Sequence, residues 1–146
     1  MKQQPTIGFY AQKINQVVET TEQTGEAMNP FFELIRQAID KGTVAELTEA
    51  QYSEVKEAFN KGLENYKKLL VVLNNQTAPI KVIGIHKKFE KTYEDYISSC
   101  QMMIDSLGET PQDLAVEAFN QSEEQQDDIT ETLAFCVQRL SNLLLK

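Results

Sequence analysis

One histidine and two cysteines are the residues of this chain best suited to metal binding or nucleophilic catalysis. Helical di-iron sites need a Glu-x-x-His pattern on two helices, but Ile83 stands three positions before His86. Structural zinc sites use sets of His and Cys ligands, whereas Cys100 and Cys136 show neither a C-x-x-C pair nor any other metal spacing. The sequence therefore predicts no metal site and no cofactor.

The segment HKKFEKT, residues 86–92, resembles the basic surroundings of the reactive histidine in histidine phosphotransfer domains. That resemblance implies a phosphotransfer role for His86. In the family, a lysine and then a glycine follow the histidine by three and four positions and keep it accessible, but here those positions hold Phe89 and Glu90. We therefore expect His86 at the edge of the core, and a phosphotransfer protein or other enzyme using His86 ranks last among the candidate functions.

The remaining reactive residues do not form a catalytic set. Cys100 and Cys136 lie on apolar helical stripes, where a free cysteine behaves as a small apolar residue. Counting residues along antiparallel helices separates them by about 27 Å, beyond the roughly 7 Å that a disulfide allows between Cα atoms. The acidic pairs Glu123–Glu124 and Asp127–Asp128 are typical of a solvated helix face. We predict a protein that is not an enzyme.

Apolar residues recur every three or four positions in four long segments, the pattern of amphipathic helices. Thr48 begins a capping box, Gly42 and Gly108 are expected helix stops, and Thr110 followed by Pro111 is a typical helix start. The predicted helices are about 5–41 with a kink or break near Pro30, 48–74, 79–107 and 111–145. Short connections favour an all-α, up-down-up-down antiparallel four-helix bundle, a single domain over residues 1–146. A helical hairpin completed by helices of a second chain is the rival architecture.

The fourth segment contains a polar stretch, residues 120–128, without one apolar side chain. We expect one continuous helix there, with aromatic residues of the other helices filling the core at that height and polar groups of helix 4 bonding the tyrosine hydroxyls. Those aromatic residues are Phe31, Phe32, Phe59, Tyr93 and Tyr96. The alternative is a helix break near Gln121, with Ser122 capping a second helix.

Basic residues are strongly segregated along the chain. Segments 1–16, 67–88 and 132–146 contain nine basic residues and no Asp or Glu, although the net charge of the whole chain is −8. In the predicted bundle these segments share one end. The preference of cations for helix C-termini accounts for four of these residues, Lys67, Lys68, Arg139 and Lys146. It does not account for Lys81, Lys87 and Lys88, which lie near a helix N-terminus.

Four apolar residues, Val71, Ile80, Phe135 and Leu145, lie off the apolar stripes of their helices at this same end. Apolar groups ringed by charge are typical of an interface. The predicted interaction surface consists of Lys67, Lys68, Lys81, Lys87, Lys88, Phe135, Arg139 and Leu145.

The preferred function is a protein–protein interaction module that binds an unknown protein partner or itself, as a homodimer. The alternative is a peripheral membrane or cell-surface protein that binds anionic lipid through the same surface. A nucleic-acid partner is not expected, because the isoelectric point is about 4.7 and no recognised nucleic-acid motif is present. No run of apolar residues is long enough for a membrane span, and the first residues show no secretion signal, so we expect a cytoplasmic location.

Overall fold

The computed structural model describes residues 6–145, which form four α-helices, three short 3-10 turns and no strand. The α-helices are α1 (Ile7–Lys41), α2 (Glu49–Asn74), α3 (Ile83–Leu107) and α4 (Val116–Leu144). The 3-10 turns are Val44–Glu46, Ile80–Val82 and Pro111–Asp113. The all-α prediction is confirmed, and so are the helix stops at two glycines: Gly42 and Gly108 have φ angles of 69° and 65°.

A break in the first helix is wrong, because α1 runs without interruption through Pro30, whereas a kink there stays a prediction. Pro30 removes one backbone hydrogen bond, at a cost of about 3 kcal/mol. Buried residues on both sides of it, among them Val17, Thr24 and Ile35, keep the two halves in one helix. The structure describes no residue before Thr6, so the predicted start at residue 5 lies outside the described residues.

Two predicted helix starts are corrected. The third α-helix begins at Ile83 rather than at Pro79, because residues Ile80–Val82 form a 3-10 turn. The fourth begins at Val116 rather than at Pro111. There the Asp113 carboxylate accepts hydrogen bonds from the Thr110 backbone and hydroxyl at 3.1 and 3.0 Å, which closes a separate short turn before α4.

The core consists of two clusters. The first core cluster contains Tyr10, Ile14, Val17, Leu63, Tyr66, Leu69, Leu73, Val82, Phe89, Tyr93, Cys100, Cys136 and Leu140. The second core cluster contains Ile35, Tyr52, Val55, Phe59, Met103, Leu107 and Phe119. Met28 and Ile104 pack against both clusters and so join them.

The helices pack unevenly. α1 packs closely against α2, and α3 against α4, whereas α1 and α4 make few contacts. One place where α1 and α4 meet is where the rings of Phe32 and Phe119 stack at 5.8 Å and Arg36 lies 3.1 Å from Glu123. Between Val18 and Phe32 of α1 and between Glu123 and Gln138 of α4, an open groove separates the two helices.

The polar stretch of the fourth helix does not interrupt it, so the prediction of one continuous helix is confirmed. The expected partners of the tyrosine hydroxyls are wrong. Tyr93 bonds Thr21 of α1 at 2.8 Å, Tyr66 pairs with Tyr96, and Tyr52 donates to the Leu107 carbonyl. Within the polar stretch, Gln126 instead reaches the Ser99 carbonyl at 3.4 Å.

Candidate functional site

The described parts of the basic segments, residues 6–16, 67–88 and 132–145, contact one core and together form what we call the basic end. Tyr10 and Ile14 of the first segment, Leu73 and Val82 of the second, and Leu140 of the third all belong to the first core cluster. Apolar packing therefore brings three distant stretches of sequence to one region. The basic residues Lys2 and Lys146 lie outside the described residues.

All eight predicted interaction residues are exposed at the basic end. Two of them are in direct contact, because the Lys88 ammonium lies 5.2 Å from the centre of the Phe135 ring, over its face. This contact joins α3 to α4 across the surface. A second cation–ring pair, Lys13 over Phe9 at 5.5 Å, lies within α1. Lys67 has an acidic neighbour, Glu64, at 3.9 Å on the same helix, and both side chains are at least half exposed.

Exposed apolar side chains concentrate at the basic end. Seven of the eight large apolar side chains that are exposed in the described residues lie there. They are Ile7, Phe9, Val71, Ile80, Ile83, Phe135 and Leu145. Ile80 and Leu145 protrude furthest, with 89% and 86% of their surface exposed. The surface thus combines positive charge with apolar side chains that remain exposed to solvent.

Three of these residues, Ile7, Phe9 and Ile83, were missed by the sequence analysis. Ile7 fits the apolar stripe of the first helix, but it lies in the first turn, before the core begins at Tyr10. Phe9 comes one position before the buried Tyr10, and Ile83 comes one position after the buried Val82. Both side chains therefore point away from the core. The off-stripe positions of Phe9 and Ile83 were the signal that could have identified these two residues.

His86 is buried beneath this surface, as expected of a histidine at the core. Its Nδ1 atom lies 2.6 Å from the Tyr10 hydroxyl, and its Nε2 atom lies 3.3 Å from a Glu90 carboxylate oxygen without hydrogen-bond geometry. Burial lowers the pKa of His86, opposed by the nearby Glu90 charge. A phosphotransfer histidine must present a ring nitrogen to its partner, and only 4% of the His86 surface is exposed.

The two cysteines are buried free thiols. Burial raises the pKa of Cys100 to about 12 and also raises the pKa of Cys136. Because the thiolate is the nucleophilic form, both cysteines are held in their unreactive state.

Between residues 6 and 145, no three His, Cys, Asp or Glu side chains come close enough together to hold a metal ion. No helix in the same range is long and apolar enough to cross a membrane. The basic end, where basic residues and exposed apolar side chains occur together, is the candidate functional site.

Comparison with protein families, curated proteins and solved structures found no match.

Proposed function

We propose that this protein is a non-enzymatic helical interaction module whose basic end binds an acidic, partly apolar surface of another protein. One observation carries the proposal: seven of the eight exposed large apolar side chains of the described residues lie in segments that contain no Asp or Glu. Apolar groups supply binding free energy as they leave water, and charge selects and orients the partner.

The proposal includes an up-down-up-down antiparallel arrangement of the four helices. Three contacts support it. Tyr52 near the start of α2 donates to Leu107 at the end of α3. Phe32, late in α1, stacks on Phe119 near the start of α4. Tyr10 near the start of α1 bonds His86 near the start of α3. Such an arrangement gathers the start of α1, the end of α4 and the loop between α2 and α3 at the basic end.

Helix-end electrostatics do not account for all of the basic residues. Lys87 and Lys88 lie in the second turn of α3, near the N-terminal end of their own helix, so the attraction of cations to a helix C-terminus does not account for them. Both are exposed, and Lys88 covers an exposed aromatic ring instead of pairing with a carboxylate. A requirement for an anionic partner explains these two lysines better than helix stability does.

An anionic membrane surface is the second candidate partner, and the near-complete exposure of Ile80 and Leu145 favours it. Protruding apolar side chains beside lysines can insert into the boundary between lipid headgroups and acyl chains. A cytoplasmic location also belongs to the proposal, supported by the two cysteines, which are free thiols as in most cytosolic proteins.

A direct test measures binding of a labelled synthetic helix, with Leu at helical spacing and Glu at the other positions, by fluorescence anisotropy. We expect binding that weakens as salt rises, because the charges are screened within about 10 Å at 0.1 M salt. Replacing Lys87 and Lys88 by Glu should weaken it by at least about tenfold, which corresponds to about 1.4 kcal/mol. Phe135→Ala should weaken it as well.

The matched control reverses two lysines of α2 outside the basic end, Lys56→Glu and Lys61→Glu, with the same change in net charge. Equal loss in both double variants would contradict a defined site. Vesicles separate the two partner classes: co-sedimentation with anionic but not neutral vesicles, together with no peptide binding, would replace the protein partner by a membrane. Concentration-dependent oligomers in light scattering would instead identify a second copy of the chain as the acidic partner.

A further inference from the structure

We infer that the open groove between α1 and α4 is a second binding site, which takes a basic amphipathic helix of a partner protein. Its α4 wall overlaps the basic end at residues 132–138, but it faces α1 and would bind a partner of opposite charge. The inference therefore stands or falls independently of the proposed function.

The groove consists of two adjoining cavities of about 270 and 330 Å³ that share Thr130. α1 lines them from Val18 to Phe32, and α4 lines them from Glu123 to Gln138. At 1.5 Å per residue, these stretches are about 21 Å long, which matches a helix of about 14 residues. The groove ends where Phe32 stacks on Phe119.

Small or polar residues keep the groove open. α1 presents Thr21 and Gly25 to it, and α4 presents Gln126, Thr130 and Ala134. In an ordinary helix seam these positions would carry large apolar side chains that meet across the gap. The polar stretch of α4 is thus part of one wall of a groove, and we infer that a fifth helix has room there.

The groove has an apolar interior. Phe89 and Tyr93 form the floor of the larger cavity, and Val18, Leu133 and Val137 line it as partly exposed residues. An amphipathic helix binds such a groove by placing its apolar residues, three or four positions apart, into it.

Charge identifies the occupant. Between Val18 and Phe32 there are three acidic residues, and between Glu123 and Gln138 there are five, with no Lys or Arg in either stretch. Glu22, Glu123 and Asp127 line the cavities themselves. A second copy packed groove to groove would bring these carboxylates against their own kind, at a cost in affinity. A helix with Lys or Arg beside its apolar stripe would meet opposite charge on both walls.

The test uses a labelled synthetic helix of about 15 residues, with Leu at helical spacing and Lys at the other positions, and a peptide of the same composition whose order destroys the spacing. We expect the ordered peptide to bind at least about tenfold more tightly. Ala134→Leu, which fills the groove, should weaken binding by at least about tenfold, while Ala27→Leu, on an exposed alanine of α1 outside the groove, should leave it unchanged. Thermal unfolding checks that both variants fold.

Charge reversal separates a defined site from general attraction to an acidic protein. The double variant Glu22→Lys, Asp127→Lys should lose several-fold more affinity for the ordered peptide than the control double variant Glu46→Lys, Glu109→Lys. The control changes the net charge by the same amount at exposed positions outside the groove. Three results would overturn the inference: equal loss of affinity in the two double variants, equal affinity for the peptide that lacks the helical spacing, or undiminished affinity of the Ala134→Leu variant for the ordered peptide. So would a dimer in light scattering that Ala134→Leu dissociates, because the groove would then hold a second copy.

Discussion

The basic end and the α1–α4 groove are both apolar surfaces, but they differ in charge and in shape. At the basic end, apolar side chains such as Ile80 protrude among lysines on top of a closed core. In the groove, apolar side chains such as Leu133 lie recessed between two helix stretches that carry acidic residues and make few contacts with each other. Protruding groups suit insertion into a partner, whereas a recessed floor suits a partner that inserts. The two proposed sites adjoin at residues 132–138 of α4 and differ in the charge of the partner that each would bind.

The largest expected effect is on the free energy of unfolding, in a comparison of a buried and an exposed aromatic residue of α4. Phe119→Ala should lower the free energy of unfolding by about 3–5 kcal/mol, because it removes a fully buried ring that stacks on Phe32 and closes the end of the groove. Phe135→Ala should change it by less than about 0.5 kcal/mol, because half of this ring is exposed. Urea denaturation of the two variants measures both. A large loss in Phe135→Ala would show that this ring is structural and would weaken its role in binding.

An intermediate effect concerns the support of the basic end by Tyr10 and His86. Tyr10→Phe should lower the free energy of unfolding by about 1–3 kcal/mol, because it leaves the buried Nδ1 atom of His86 without its partner. The cavity at the groove should be unaffected, so the variant should keep its affinity for the basic synthetic helix. Loss of that affinity would mean that the two surfaces are coupled.

The same pair predicts a pH dependence. The pKa of His86 is lowered below 6.5 in the folded protein, so the unfolded chain binds more protons as the pH falls through that value. Stability supplied by neutral His86 is thus fully present above about pH 6.5 and is lost as the pH falls below it. Denaturation at pH 7.5 and 5.5 measures the loss, and His86→Gln should reduce it. An unchanged pH dependence in that variant would assign the effect to other groups.

The smallest expected effect is also on stability, in a comparison of the closed α1–α2 contact with the open α1–α4 groove. Gly62 of α2 faces the Met28 side chain of α1, and an added Cβ would collide with the Met28 sulfur, so Gly62→Ala should destabilise by about 1 kcal/mol. Gly25 lines the groove, and an added Cβ would lie 3.6 Å from the Tyr66 hydroxyl, an ordinary contact. Gly25→Ala should therefore stabilise α1 by about 0.5–1 kcal/mol. Equal effects of the two changes would contradict the openness of the groove.

Much of the fold could be predicted from the sequence, because each helix repeats its apolar residues at helical spacing and most ends carry a recognisable signal. The capping box at Thr48 and the stop at Gly42 are local patterns of this kind. The late start of α4 could not be predicted, because Asp113 bonds back to Thr110 and competes with the helix for the same backbone groups. The continuity of α1 through Pro30 depends on packing on both sides of the proline, which no local pattern records.

The basic end was visible in the sequence because charge is read directly from residue type. The groove was not, although its signal was present as the polar stretch of residues 120–128. That stretch predicted a helix lying further from the core, but the sequence did not show that α1 carries small residues opposite to it. A groove requires both walls, and the distance between α1 and α4 depends on how all four helices pack.

The most direct test of the basic end is an NMR titration of the isotope-labelled protein with the synthetic Leu/Glu helix. We predict that backbone amide signals of residues 67–88 and 132–145 shift in a saturable, salt-sensitive way, while those of residues 18–32 and 123–130 do not. Shifts confined to residues 18–32 and 123–130, or an absence of saturable shifts in residues 67–88 and 132–145, would contradict the assignment of the basic end as the binding surface.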